Sequence, residues 1–199
     1  MANINITGFK NIHFAPITTK EDGSKKPVYA TPVAIKGAKN AEVSLNFEST
    51  TFYADDVISY NDNFFTSGEI TLSVSGLTAS EYELLFGNTK TKGGVIVNAN
   101  DLAVEGALSF EKKILGTNHV RRYVIYACKM SPASISAETL ADSVSESPVE
   151  ITGTCRQLAS GEIYAMVDTN DEGYDSSLDN WYEEVKFLDT VGSFLKTSK

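Results

Sequence analysis

The sequence lacks the features that mark several large classes of protein. It has no apolar run near the ~18–20 residues that a membrane-spanning helix requires. Its first 15 residues lack the basic start and the apolar core of a secretory signal peptide. We therefore expect a protein that is made, and at first kept, in the cytoplasm and that has no membrane partner.

Cysteine and histidine are scarce. The two cysteines, Cys128 and Cys155, are too few for a cysteine-based metal site. A disulfide between them is possible if their strands pair, although a cytoplasmic protein keeps its thiols reduced. The two histidines, His13 and His119, have no sequence neighbours that complete a catalytic or metal-binding set.

Basic residues are outnumbered, with 17 Lys and Arg against 26 Asp and Glu, for a net charge of −9. This balance argues against binding to a phosphate backbone, because such affinity comes from Lys and Arg. The charge is also uneven: residues 1–40 hold 6 basic and 2 acidic groups, whereas residues 138–199 hold 4 and 13. Two interpretations remain open, a solvated surface and a head-to-tail contact between copies.

Catalytic motifs are missing as well. There is no nucleophile elbow, phosphate loop, dinucleotide fingerprint or metalloprotease helix. We therefore expect no enzymatic activity, no cofactor and no metal. One turn has partial calcium-loop spacing, but Asn, Asp and Gly also cluster in ordinary turns. Asp168, Asn170, Glu172 and Asp179 fall at ligand positions 1, 3, 5 and 12 of such a loop, and Gly173 falls at the turn position 6.

Short runs with alternating apolar residues dominate the sequence. This period of two predicts about eight β-strands, at spacings typical of a β-sandwich or barrel. The length of 199 residues fits a single domain over residues 1–199. The run at 123–128 is densely apolar, which predicts a central strand buried on both faces. The predicted strands lie at 12–14, 43–47, 70–74, 95–97, 102–110, 123–128, 151–155 and 163–167.

Two segments have a helical pattern instead. Thr78 and Glu81 form a capping box, and Gly87 follows about two turns later as a C-terminal cap. Near the end, apolar residues recur at helical spacing and predict a C-terminal helix at about 176–190 that packs on the sandwich. The apolar positions of this second helix are Leu178, Trp181, Tyr182, Val185 and Leu188.

The segment at about 48–66 has no clear period and predicts an extended loop. It holds five aromatic residues and several acidic ones, which is unusual for a polar loop. The aromatics must be covered either by this chain's own sandwich or by another subunit, and we expect the second. The predicted subunit-interface residues are Phe52, Tyr53, Asp55, Asp56, Tyr60, Phe64 and Phe65.

Eight short segments, in order along the chain, resemble the major tail proteins of long-tailed phages of Gram-positive hosts, the phi-thirteen group. The opening segment matches a G-x-K-N-x-x-[YF]-A pattern, and the others follow in the order of that family. The matching segments are GFKNIHFA at 8–15, YATP at 29–32, YADD at 53–56, GEITL at 68–72, LLFG at 84–87, RYVIY at 122–126, TGT at 152–154 and WYEEV at 181–185.

The resemblance implies the tail-tube fold, a β-sandwich with a flanking helix, and a structural role in the virion tail. It implies that six copies form a ring, that rings stack into a tube assembled in the host cytoplasm, and that DNA passes through during ejection without specific binding. It also implies contacts with a tape measure protein and with tail terminator or tail tip proteins. Two alternatives stay open: a tube protein of a contractile particle or type VI secretion system, and a carbohydrate-binding β-sandwich.

Overall fold

A computed structural model of the protein describes residues 5–23, 25–54, 57–132 and 148–188. Within these ranges the fold is mainly β, as the alternating pattern predicts, with one short α-helix, α1, at Ala79–Phe86. No helix among them is long and apolar enough to cross a membrane. The strands are β1 (Ile6–Thr19), β2 (Val28–Tyr29), β3 (Val33–Ala34), β4 (Ala38–Ala54), β5 (Val57–Val74), β6 (Thr89–Lys90), β7 (Val95–Ile96), β8 (Glu105–Ile114), β9 (Val120–Ser131), β10 (Val149–Cys155) and β11 (Tyr164–Asp168).

Nine of these strands form one antiparallel sheet. Its main path runs β2-β1-β8-β9-β10-β5-β4, with β3 also paired to β1 and β11 also paired to β9. Strand β9 is central: β8 lies along one edge, and the other edge is shared by β11 and β10. Strands β6 and β7 form a separate two-stranded hairpin. All eight predicted strands overlap strands of the structure, and the three additional ones, β2, β3 and β6, are two-residue pairings too short to show a period.

The main core lies between the two halves of this sheet. Apolar side chains of β1, β8 and β9 pack there against those of β5, β10 and α1. The expectation for 123–128 is confirmed from Val124 to Cys128, where every residue is buried. Central members of the core are Phe14, Leu72, Leu85, Leu108, Ile125, Met130 and Ile151.

A second, smaller core covers the opposite face of the β8–β9 half. Val124 and Tyr126 of β9 meet the C-terminal segment there, and Trp181 is only 2 % exposed. The prediction that Trp181, Val185 and Leu188 pack on the sheet is therefore confirmed.

The helix α1 forms as its local sequence predicts. The Thr78 hydroxyl accepts a hydrogen bond from the Glu81 amide, and the Glu81 carboxylate accepts one from the Thr78 amide at 2.6 Å. These reciprocal bonds satisfy two amides that the first turn leaves free. The helix ends at Gly87, whose φ of 68° is a left-handed conformation that glycine adopts without strain.

The extended loop predicted at about 48–66 is wrong in its described part. Strands β4 and β5 stay paired through that segment, from Phe47 opposite Phe65 to Ala54 opposite Val57, with one register shift after Phe52. An alternating apolar pattern appears in a strand only when one face is buried and the other is wet. Neither face is buried here, so the strand period is invisible in the sequence.

The predicted C-terminal helix at about 176–190 is also wrong in its described part, to residue 188. Ser176–Leu178 is a single 3-10 turn, and further turns follow it. The Leu178 carbonyl accepts a 2.7 Å hydrogen bond from the Arg122 guanidinium. Local bonds such as that from the Glu183 amide to the Asn180 carbonyl span three residues and not four. The apolar spacing thus serves packing on the sheet without a continuous α-helix.

Candidate interaction surface

The distal half of the β4–β5 hairpin extends beyond the rest of the sheet. Strand β10 pairs with β5 only between Gly68 and Val74, so farther out β4 is the described partner of β5. We call residues 46–54 and 57–67 the arm. None of its described side chains is buried. A two-stranded hairpin alone is marginally stable in water, so the arm has the character of a surface that needs a partner.

Both faces of the arm carry aromatic side chains. Residues opposite one another in an antiparallel pair share a face, and successive residues alternate between faces. On one face, Phe52 lies opposite Tyr60 with ring centroids 6.0 Å apart. On the other, Phe47 lies opposite Phe65, with their rings 5.7 Å apart and edge to face.

The first of these faces is also acidic. Phe64 lies there opposite Glu48, and Asp62 lies between Phe64 and Tyr60 along the strand. The Tyr60 hydroxyl donates a 2.7 Å hydrogen bond to the Asp62 carboxylate, which raises the pKa of Tyr60. We call Glu48, Phe52, Tyr60, Asp62 and Phe64 the acidic face of the arm.

Four aromatic side chains of the arm are about half exposed in the single chain. Phe47 and Phe52 are 56 % and 58 % exposed, and Tyr60 and Phe64 are 51 % and 47 % exposed. The alternative that these rings cover their own sandwich therefore does not describe this chain. Several exposed aromatics on one small element, rimmed by acidic groups, form the apolar centre and polar rim of an interaction site.

The predicted interface residues divide into four groups. The structure brings Phe52, Tyr60 and Phe64 together on the acidic face and puts Phe65 on the opposite face. Asp55 and Asp56 lie outside the described residues. Tyr53 pairs with Ile58 through its backbone, and its side chain lies outside the described set.

Sequence reasoning missed Phe47, which belongs to the same surface as Phe65. Its alternation with Val43 and Leu45 suggested a core position at the end of a strand. Val43 and Leu45 do pack against the core, but the sandwich ends there and the strand continues. Phe47 is identified by its pairing with Phe65. That pairing depends on the register of the hairpin, which is known only once the structure is known.

A second uncovered surface is the outer side of the β10-β5-β4 half of the sheet. Glu42, Glu69 and Glu150 are exposed on it, from three adjacent strands. Small hydroxyl side chains separate these carboxylates: Ser44, Thr71, Ser73, Thr152 and Thr154. This face is polar and acidic, which disfavours close contact with a phosphate backbone.

The candidate calcium turn is occupied by bonds within the protein. Both carboxylate oxygens of Asp168 accept hydrogen bonds from Arg121, at 2.5 and 2.6 Å, and this pairing raises the pKa of the Arg121 guanidinium. Asp179 accepts a 2.6 Å hydrogen bond from the Tyr174 hydroxyl. In the described ranges, no three His, Cys, Asp or Glu side chains are grouped as a metal site.

Each of the two histidines contacts another residue of the chain. The His13 ring stacks on Tyr182 with centroids 4.5 Å apart, and His119 lies 3.3 Å from the Thr169 hydroxyl. Nucleophilic catalysis requires a nucleophile hydrogen-bonded to a base, and a third group that orients the base. Neither of these histidine contacts supplies that arrangement.

Comparison with known proteins adds no identification. No family model matches the chain, and no curated protein matches it either.

Proposed function

We propose that the protein is a self-assembling structural subunit, the major tail tube protein of a long-tailed phage. In this proposal, six copies form a ring, rings stack into a tube, and DNA passes through the tube during ejection. The virion tail is then its final location, and it has no enzymatic activity. Its further partners are a tape measure protein and tail terminator or tail tip proteins.

The arm gives the strongest support for this proposal. Aromatic rings project from both faces of a two-stranded element that no other described part of the chain covers. Only a partner surface on each side removes all of this apolar area from water. Stacked rings supply such surfaces, because each subunit then meets copies in more than one direction.

Two further observations support it. The eight ordered segments from residue 8 to residue 185 resemble one family of tail proteins. The acidic, hydroxyl-rich outer face of β10-β5-β4 is suited to line a conduit, since Glu42, Glu69 and Glu150 repel passing phosphates.

The carbohydrate-binding alternative has less support from the same aromatics. A sugar platform presents flat rings to the faces of the sugar. The rings of Phe52 and Tyr60 are inclined by 43°, and those of Phe47 and Phe65 by 69°. Both pairs pack within the arm and do not form one plane.

Assembly of the purified protein tests the proposal. We expect rings or tubes in negative-stain images at high concentration, and a shift to monomers on dilution in mass photometry. The matched variant replaces residues 47–66 with Asn-Gly, a favoured two-residue hairpin turn that leaves Asn46 and Ser67 paired. It should stay folded by circular dichroism and form no tubes. A wild-type protein that remains monomeric at every concentration contradicts the proposal.

A further inference from the structure

A groove of about 270 Å³ opens beside the base of the arm. Val43 and Leu45 of β4 line it on one side, Phe110 and Tyr123 come from β8 and β9, and Tyr164 comes from β11. Ligand pockets usually enclose ~300–1,000 Å³, so this groove suits a few protruding side chains better than a whole small molecule. Tyr164 is 46 % exposed at its border, so the apolar lining continues to the surface.

One cationic side chain lines this apolar groove. Lys112 follows Phe110 by two positions on β8, so both lie on the same face of the strand. The Lys112 ammonium has no hydrogen bond or ion pair with any described residue, in contrast to the Lys10 ammonium, which lies 3.2 Å from Glu111. An unpaired ammonium beside an apolar groove favours an occupant that brings both apolar groups and a carboxylate.

The acidic face of the arm has that combination. Phe64 and Glu48 are opposite each other on its two strands, and both side chains are exposed. Glu48, like Lys112, has no partner among the described side chains. The arm of the same chain does not fill the groove, because it stays paired as a hairpin and its side chains remain in solvent.

We propose that this groove receives the acidic face of the arm from a second copy of the chain, with Phe64 in the apolar part and Glu48 against Lys112. The inference rests on the proposed function and deepens it by naming the receiving surface. Arm and groove are different patches, so the contact is heterologous and repeats from copy to copy. Such a contact extends into closed rings or open stacks.

Charge reversal tests the pairing. Lys112→Glu and Glu48→Lys should each raise the concentration needed for assembly roughly tenfold, measured by sedimentation, because each puts like charges together. The double variant Lys112→Glu/Glu48→Lys should recover most of the loss. Lys113→Glu is the matched control: it makes the same change on the next residue of β8, which points to the other face and is exposed. Melting temperatures of all variants verify that they fold.

The outcomes separate this inference from the proposed function. If the wild type assembles and Lys112→Glu behaves like Lys113→Glu, the groove assignment is overturned and the tube remains. If the wild type never assembles, both are overturned.

A photo-crosslink gives an independent readout. The variant Phe64→benzoylphenylalanine, mixed as ¹⁵N-labelled protein with unlabelled wild type, should crosslink to wild-type peptides that contain Lys112 or Tyr164. Crosslinks confined to the same copy, or to a different surface, overturn the assignment.

Discussion

Trp181 lies against β9 and donates its indole N–H to the Tyr123 carbonyl oxygen over 3.4 Å. The ring is 2 % exposed and belongs to the second, smaller core, which joins the C-terminal segment to the face of the β8–β9 half opposite the main core. The segment is thus attached by packing and by side-chain hydrogen bonds in both directions, since Arg122 and Tyr126 of β9 donate to the carbonyl oxygens of Leu178 and Lys186. It lacks the regular backbone bonds of a helix.

Replacement of this ring should therefore destabilise the single subunit. Trp181→Ala removes a buried aromatic and leaves a cavity, which costs about 3–5 kcal/mol of unfolding free energy. Urea unfolding of the monomer measures the change. Leu102→Ala is the control, because Leu102 is 84 % exposed and its loss should change stability by less than about 0.5 kcal/mol. Unchanged stability in Trp181→Ala would show that this segment serves assembly alone.

Local signals predicted the helix and the central strand well. The capping box and its terminal glycine lie between Thr78 and Gly87, so nearly every contact that defines α1 is present in ten consecutive residues. The run Val124–Cys128 is apolar on both faces because both cores use it. Such features depend little on distant parts of the chain.

Local sequence signals could not predict the structures of the arm and the C-terminal segment, because both depend on distant contacts. Whether Phe47 points into a core depends on where the sandwich ends, and this is set by β10 stopping opposite Gly68. Whether Leu178 continues a helix depends on Arg122, 56 residues earlier in the chain, which takes its carbonyl. A tertiary contact overrides a helical pattern in that case.

The two cysteines lie directly opposite each other on β9 and β10, and both are free thiols. Burial raises the pKa of both Cys128 and Cys155, so the reactive thiolate is scarce near neutral pH. We expect an aromatic disulfide reagent at pH 8 to label neither residue within minutes in the folded protein and both at once in urea. Fast labelling of the folded protein contradicts this.

Stability should fall at alkaline pH. Burial raises the pKa of Tyr29, Tyr126 and Tyr182, as it does for Cys128, above the values near 10 for tyrosine and 9 for cysteine in the unfolded chain. In the unfolded chain these groups lose protons first, so the stability they provide is present below about pH 9 and declines as the pH rises further. Urea midpoints between pH 7 and 11 measure the decline.

The variant Tyr126→Phe gives the matched test of this cause. It removes one titrating group and keeps the ring that stacks on Phe187. It also removes the hydrogen bond from the Tyr126 hydroxyl to the Lys186 carbonyl, so stability at pH 7 should drop slightly. Its decline between pH 9 and 11 should nevertheless be shallower than that of the wild type. An equal or steeper decline would assign the effect to other groups.

Single truncations on the two faces of the arm should separate assembly from folding. Phe52→Ser and Phe65→Ser each remove one ring, from opposite faces. Because Phe52 is more than half exposed and neither residue belongs to a core, we expect little change in the melting temperature of the monomer. Loss of an aromatic anchor from an interface often costs about 2 kcal/mol, which corresponds to roughly 30-fold weaker association.

Leu115→Ser is the control for these variants, since Leu115 is 52 % exposed and lies in the turn after β8, outside the arm. Sedimentation of each variant over a concentration series compares them. If Phe52→Ser and Phe65→Ser both weaken assembly and Leu115→Ser does not, partners cover both faces of the arm. If only one of the two weakens it, the arm lies on a single surface and its other face stays wet. That result would remove the argument that the arm is enclosed between copies, because one apolar face against one neighbour does not require a stack.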